Sequence, residues 1–392
     1  MTVDVAIIGG GLAGASLAAQ TAAQGRRVVL IEREAGPHDK VCGEFLSHEA
    51  QQYLQALGID PLALGGSPID RVRLAAGGGV AEIMLPFKGV GLTRRTLDEV
   101  LLARAADAGA TVLRGRAAST LTARPGGQRI QLQGGEVIDA GQAVLATGKH
   151  EMRGWKRGRG RQNDLVGFKQ HFRLAPGEAD ALEGAVELML FRGGYAGLQL
   201  VEGRQATLCL LVRCSVLARL AQPASQPGAQ WPAVLAAAAR GSALFRRRLQ
   251  DAAPVQPRPL SIAGIPYGYV APDVDPGAEE GGVWRLGDQS AVIPSFTGDG
   301  MSIALHSAAL AAGLLQAGGG PEMLQAAMRR DVGRQVAGAS VLSLTAVHRL
   351  LQRPFVSLAR SLPMLAAAIA AGTRIPDHKV QRALRSAPQT IC

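Results

Sequence analysis

The sequence predicts an α/β protein: a parallel-sheet unit at the N-terminus, a second unit built on a mixed or antiparallel sheet, and a C-terminal group of helices. Three observations predict it. Residues 3–33, VDVAIIGGGLAGASLAAQTAAQGRRVVLIER, read as strand, glycine turn, helix, strand, the start of a parallel β–α–β unit. Residues 186–212, VELMLFRGGYAGLQLVEGRQATLCLLV, are apolar runs broken by Gly-Gly and Glu-Gly-Arg, which signals antiparallel hairpins. The last 60 or so residues are rich in Leu and Ala and read as helices.

Each element of the first unit has a local cause. Residues 3–8 are a continuous apolar run, as expected of a strand buried on both faces. Gly9, Gly11 and Gly14 then give G-x-G-x-x-G. In that pattern the first glycine makes the tight turn, the second admits a pyrophosphate to the backbone, and the third lets the helix pack on the strand. A helix from about Leu12 to Gln24, opening Leu12-Ala13-Gly14, aims its free N-terminal amides at the phosphates. The second strand ends at Glu32-Arg33, and Glu32 is placed to accept hydrogen bonds from a ribose diol. This is a Rossmann-like dinucleotide site.

Composition bounds the rest. A chain of 392 residues with 47% hydrophobic content has room for two packed units. Aromatics make up only 4%, too few for the stacking platforms that bind single-stranded nucleic acid, so no nucleic-acid partner is expected. The net charge is +11, part of it in RGWKRGRGR at 153–161, which suits an acyl-carrier protein or an anionic membrane surface. Cys42, Cys209, Cys214 and Cys392 form neither a zinc pattern nor a disulfide framework, which points to a reducing cytoplasm. The first apolar run is already a strand rather than a signal peptide. The apolar stretch LPMLAAAIAAG at 362–372 is too short to span a bilayer and is expected either to be buried or to lie against a membrane.

Two distant elements decide which dinucleotide. LTRRTLDEVLLARAADAGATVLRGRAAS, 92–119, reads as Arg94-x-x-Leu97-Asp98 opening an amphipathic helix, followed by a strand. GGVWRLGDQSAVIPSFTGDGMSIALHSAALAAGLL reads as a strand, Gly287-Asp288, a proline loop, Gly-Asp-Gly and a long apolar helix. In this order, the three elements resemble the flavoprotein superfamily of p-hydroxybenzoate hydroxylase and geranylgeranyl reductase. The resemblance implies FAD as cofactor, with Asp288 on the ribityl and pyrophosphate region and Arg94 in contact with the cofactor. It also places Pro294, Gly298, Gly300 and Met301 at the flavin, where helix amides meet the N1–C2=O edge. Geranylgeranyl reductases carry a Cys-Gly element beside the isoalloxazine, and Lys40-Val41-Cys42-Gly43 is similar to it. Cys42 is then a wall against the ring, a weak proton donor near N5, or an inert apolar residue. Ser47 should cap a helix starting near His48.

The sequence also departs from the superfamily. The hydroxylases carry Asp-Gly where this chain has Thr147-Gly148, which weakens the usual expectation of an NAD(P)H surface and leaves the electron donor open. Geranylgeranyl reductases have Tyr-x-Trp-x-Phe-Pro; here Tyr195 is kept, while Gly197 and Gln199 replace the bulky pair and should reshape the substrate cavity. The halogenase Trp-x-Trp-x-Ile-Pro element is absent. Metal spacing is absent too, so His48, His171 and His306 are expected to be structural, with His171 also a candidate to face the substrate cavity beside Tyr195.

These readings divide the chain into a discontinuous FAD-binding unit (1–68, 90–160, 260–330), a substrate unit (69–89, 161–259) and a C-terminal helical region (331–392). Three functions fit. The first is a flavin monooxygenase acting on an apolar, polyketide- or isoprenoid-derived or carrier-bound substrate. The second is a geranylgeranyl-reductase-like enzyme reducing carbon–carbon double bonds, and the third is an FAD-binding protein without turnover. A cytoplasmic enzyme, or one peripheral to a membrane, suits the first two.

Overall fold

The computed structural model describes residues 1–220, 230–272 and 282–387; Cys392 lies outside them. The α/β architecture is as expected. In the first sheet the strands Thr111–Arg114, Val28–Glu32, Thr2–Ile8 and Val137–Leu145 run parallel in that spatial order. On the far edge of Val137–Leu145, the antiparallel pair Gly127–Leu132 and Ala118–Arg124 continues the sheet from its first half, and Trp284–Arg285 adds a short parallel strand at its end. The helix Leu12–Ala23 is buried along nearly its whole length between this sheet and the helices Arg94–Asp107 and Gly300–Gln316. Its alanine and glycine content permits that close approach: a Cβ on Gly14 would sit 1.9 Å from the Gly9 carbonyl oxygen.

The second sheet is mostly antiparallel. Leu165–Arg173, Ala206–Arg213, Gly194–Leu200 and Gly184–Phe191 follow one another, then Ser67–Ala76 pairs parallel to Gly184–Phe191. The long strand Gly79–Gly91 returns from Ser67–Ala76 as a hairpin. The antiparallel hairpins expected in 186–212 are present. Two short strands from segments assigned to the cofactor unit also join this sheet: Phe45–Leu46 on Gly79–Gly91, and Leu260–Ala263 on Leu165–Arg173. The chain therefore crosses between sheets at residues 42–46, beside the glycine turn. The helix Gln230–Gly241 packs on Gly184–Phe191 of this sheet and is followed by the helix Ala243–Leu249.

The C-terminal region is helical: Pro321–Val347, Gln352–Ser361, Pro363–Gly372 and Asp377–Ser386. Gln352–Ser361 and Pro363–Gly372 lie on the strand Gly79–Gly91. Among the described residues no single helix is long and apolar enough to cross a membrane.

Candidate functional site

The glycine turn opens a cavity of about 1130 Å³ that runs from the end of Val28–Glu32 to the start of the helix Gly300–Gln316. Gly9, with φ 109° and room for no side chain (a Cβ would meet the Ala146 carbonyl oxygen at 2.4 Å), turns the chain there. Gly9, Gly11, Leu12 and Ala13 line the cavity; Gly14 does not, because it faces the strand as the helix-packing residue. Glu32 and Arg33 line one end. The Glu32 carboxylate accepts hydrogen bonds from Gly10 N (2.7 Å) and Glu34 N (2.9 Å), one on each oxygen. Each oxygen retains a further acceptor site for a diol.

Two cations stand over Gly11. A Cβ there would come within 3.2 Å of Arg94 Nη2 and 3.5 Å of Lys40 Nζ. Asp98 holds both, accepting from Arg94 Nε (2.8 Å) and Nη2 (2.9 Å) and from Lys40 Nζ (2.7 Å). Burial opposes ionisation of Arg94 and of Asp98, yet each stabilises the other's charge. The guanidinium is held above its ordinary pKa and the carboxyl below its own. A helix N-terminus and two fixed cations beside it make a pyrophosphate site. Sequence reading identified Arg94 and missed Lys40, which sits two residues before Cys42 and carries no motif of its own.

At the far end lie Cys42 and Gly43, then Thr147, Gly148 and Asp288, and finally Gly298, Gly300 and Met301. Pro294 stands between the lining residues Ile293 and Ser295 without lining the cavity itself. The Cys42 sulfur accepts from Glu44 N at 3.4 Å and faces the Arg94 guanidinium. Lys149, also unforeseen, is half-buried and donates to the Val41 carbonyl at 2.6 Å. Burial disfavours its charge, but Tyr267 and Asp288 facing it hold its pKa above the usual lysine value. Arg157 of the cationic loop turns inward to the Asp288 and Lys149 carbonyls at 2.8 Å each, while Arg153, Lys156, Arg159 and Arg161 are exposed.

Behind the Cys-Gly loop is an ionic cluster. Glu44, fully buried with φ 59°, accepts from Lys169 Nζ, from His171 Nε2 (2.8 Å) and from Arg94 N (2.9 Å). Burial would raise its carboxyl pKa, but Lys169 and His171 bring it down to about 2. His171 also pairs with Gln256 through Nδ1 (2.8 Å), so both ring nitrogens are occupied. It lines neither cavity, which corrects its assignment to the substrate site: it faces the cofactor loop from beneath. His306 is likewise structural, buried between the Tyr53 hydroxyl and Asp331, and His48 is exposed at the helix that Ser47 caps.

Tyr195 belongs to a second, apolar cavity of about 180 Å³ between the second sheet and the C-terminal helices. Leu74, Ile83, Leu188 and Leu211 wall it from the sheet, and Leu358, Leu362, Leu365 and Ile369 cover it from the C-terminal helices. Gly197 and Gln199, which stand in place of the bulky pair of the geranylgeranyl reductase motif, line it too. Burial raises the Tyr195 hydroxyl pKa well above its ordinary value and pushes the Cys209 thiol up to about 11, so both keep their protons. Gly43, Phe45, Ser295 and Gly298 line both cavities. Only this thin wall, two of its four residues glycine, separates the apolar space from the cofactor end.

The larger cavity takes an extended ligand with a diol at Glu32, a pyrophosphate over Gly11 and a flat ring between the Cys-Gly loop and Gly298–Met301. Those are the parts of FAD. Comparison with known proteins agrees. Residues 4–171 match the lycopene cyclase protein family model. A menaquinone reductase of Mycolicibacterium smegmatis is 31% identical over 169 residues, 40% of each chain. One from Mycobacterium tuberculosis is 26% identical over 330 residues, 80% of this chain and 76% of that one. Among solved structures, PqsL, a probable FAD-dependent monooxygenase from Pseudomonas aeruginosa, superposes with a TM-score of 0.70 at 19% identity over 90% of this chain and 99% of its own. The flavin-dependent brominase Bmp2 superposes with 0.74 at 17% identity over 98% of both. The chain is an FAD-dependent oxidoreductase with the fold of these flavoproteins. At these identities the solved flavoproteins speak for the fold of this flavoprotein and not for its substrate.

Proposed function

We propose that this flavoprotein reduces a carbon–carbon double bond in an apolar molecule of the isoprenoid class. The observation that carries the reading is the apolar cavity set against the flavin end across Gly43, Phe45, Ser295 and Gly298. Bound FAD supplies the hydride. The chain's part is to hold the alkene against the thin wall, exclude water with leucine and isoleucine side chains, and offer a proton to the second carbon. Tyr195 and Cys209 line that cavity and stay protonated, so either can donate. Cys42 faces the cofactor cavity alone and fits a wall against the ring better than a donor to substrate. The Mycobacterium tuberculosis relative matched over 330 residues is a menaquinone reductase, which favours the same reading. Hydroxylation, the first reading from sequence, is supported at the level of fold.

The holoprotein, its flavin reduced by light without oxygen, would be mixed with a polyprenyl quinone and the product weighed by mass spectrometry. Light reduction bypasses the donor, for which NAD(P)H is a candidate that the Thr147-Gly148 loop leaves open. After any quinol has been reoxidised in air to the quinone, a product still heavier by two hydrogens than the starting compound is expected. A product formed only in air and heavier by one oxygen would replace reduction by hydroxylation. A flavin that is never reoxidised by any isoprenoid would mean that the site binds FAD without this turnover.

A further inference from the structure

The helix Pro363–Gly372, PMLAAAIAAG, carries no charged side chain and buries none of its residues. Met364 is 86% exposed, and Leu362, Leu365 and Ile369 are exposed beside it. A helix that is apolar on every side belongs in a protein core or in lipid. Its neighbours extend the patch: Leu350, 73% exposed, with Leu351, Leu358, Val341 and Leu344. Most of the large apolar side chains exposed among the described residues fall in this stretch of the chain, and a contiguous patch of this kind marks an interaction surface.

Charge says what covers it. Between Asp331 and Asp377 the sequence has no acidic residue and five arginines. Of these, Arg349, Arg353 and Arg360 are exposed around the leucines. A second copy of the chain would set arginine against arginine with no carboxylate from this stretch to meet it. An anionic lipid surface answers both features, taking the leucines into its acyl boundary and the arginines at its headgroups. The bend of 108° between Gln352–Ser361 and the segment after it suits helices lying in the interface, not a span across it. Leu358, Leu362, Leu365 and Ile369 also line the apolar cavity, so the wall of the cavity is itself part of the patch.

We propose that the face formed by residues 341–369 docks on an anionic bilayer, and that the apolar cavity fills from the lipid through this face. The surface is distinct from the cationic loop 153–161, and docking holds whichever reaction the cavity supports. The test is flotation of the FAD-loaded protein with vesicles of phosphatidylcholine alone or mixed with phosphatidylglycerol. Binding to the mixed vesicles, weakened by salt, is expected. Leu350 and Met364 line neither cavity, so Leu350→Glu with Met364→Glu should keep the flavin spectrum and lose at least tenfold in vesicle binding. Arg349→Gln, Arg353→Gln and Arg360→Gln should each weaken binding to the mixed vesicles by about fivefold. Wild-type protein that stays with neither vesicle overturns the proposal. So does self-association abolished by the Leu350→Glu/Met364→Glu pair without any vesicle binding, which would make the patch a face between copies. Because flotation needs no turnover, its outcome is independent of the double-bond assay.

Discussion

Replacing Glu44 by Gln keeps the shape of the side chain and removes one charge from a cluster with no access to water. Glu44 is 0% exposed, and the Lys169 side chain paired with it is 1% exposed. Removing one partner of such a pair leaves the other charge buried, which costs about 3–5 kcal/mol. Glu44→Gln should therefore destabilise the protein by about that much, read by chemical denaturation with tryptophan fluorescence. Adding Lys169→Met removes the stranded charge and should return most of the loss, so the two changes will be far from additive. The same cluster sets an acid limit. With the folded carboxyl near 2 and the ordinary value at 4.5, its stabilisation is complete above pH 4.5 and is lost as pH falls toward 2. Glu44→Gln should flatten that part of the stability profile. The loop geometry is also at stake, because Glu44 sits at φ 59°, a region costly for a residue with a side chain. Its carbonyl is gripped by Gln199 Nε2 (2.8 Å) and Leu92 N (3.1 Å), so the backbone should hold and the flavin spectrum should shift only slightly. A loss under about 1 kcal/mol, or a double variant as unstable as the sum of the singles, would refute the claim that Lys169 depends on Glu44 for its charge.

Glu32→Gln should weaken FAD binding about tenfold by weakening the charge-assisted bonds to a ribose diol, measured by fluorescence titration of the apoprotein; an unchanged dissociation constant removes Glu32 from the site. Cys42→Ala and Cys42→Ser should both shift the bound flavin's absorbance or potential while most turnover survives. Loss of turnover in Cys209→Ala or Tyr195→Phe, but not in the Cys42 variants, would assign the proton donor. Arg374 reaches from the C-terminal region to Asp299 (3.2 Å) and the Thr297 carbonyl (2.9 Å). Burial raises the Asp299 carboxyl to about 6 and Arg374 restrains that rise, so stability should fall as pH climbs from 3.8 to 6. Arg374→Met should move this window upward, and a stability–pH profile identical to wild type would show that the contact does not matter.

The sequence carried the cofactor half well because its signals are local. Gly9, Gly11, Gly14 and Glu32 fall within 24 consecutive residues, and each answers to a rule about turns, helix ends or strand ends. Tyr195 was found through a motif of which only the tyrosine survives. The Glu44–Lys169–His171 cluster was invisible for a physical reason: its members are 125 and 127 residues apart, and only the pairing of the second sheet brings them together. His171 was misplaced on the same account, since alternation along Leu165–Arg173 does not say which face meets the cofactor loop. The apolar run at 362–372 was noticed, but its place as the cover of the substrate cavity depends on packing against Gly79–Gly91.

The crossing segment 42–46 also bears on the order in which the molecule assembles. Glu44 is held by residues 48, 50, 125, 127 and 155 positions further along the chain, so nearly every restraint on the Cys-Gly loop is non-local. Each such contact requires a long loop to close before it gives anything back, and chains dominated by such contacts fold slowly. We infer that the flavin end of the cofactor cavity is completed late, after Leu165–Arg173 and Ala206–Arg213 have paired, while the glycine turn and Glu32 end form early from neighbours in sequence. In refolding experiments the AMP portion of FAD alone should then bind before the whole cofactor does. Simultaneous recovery of AMP binding and flavin quenching would count against that sequence of events.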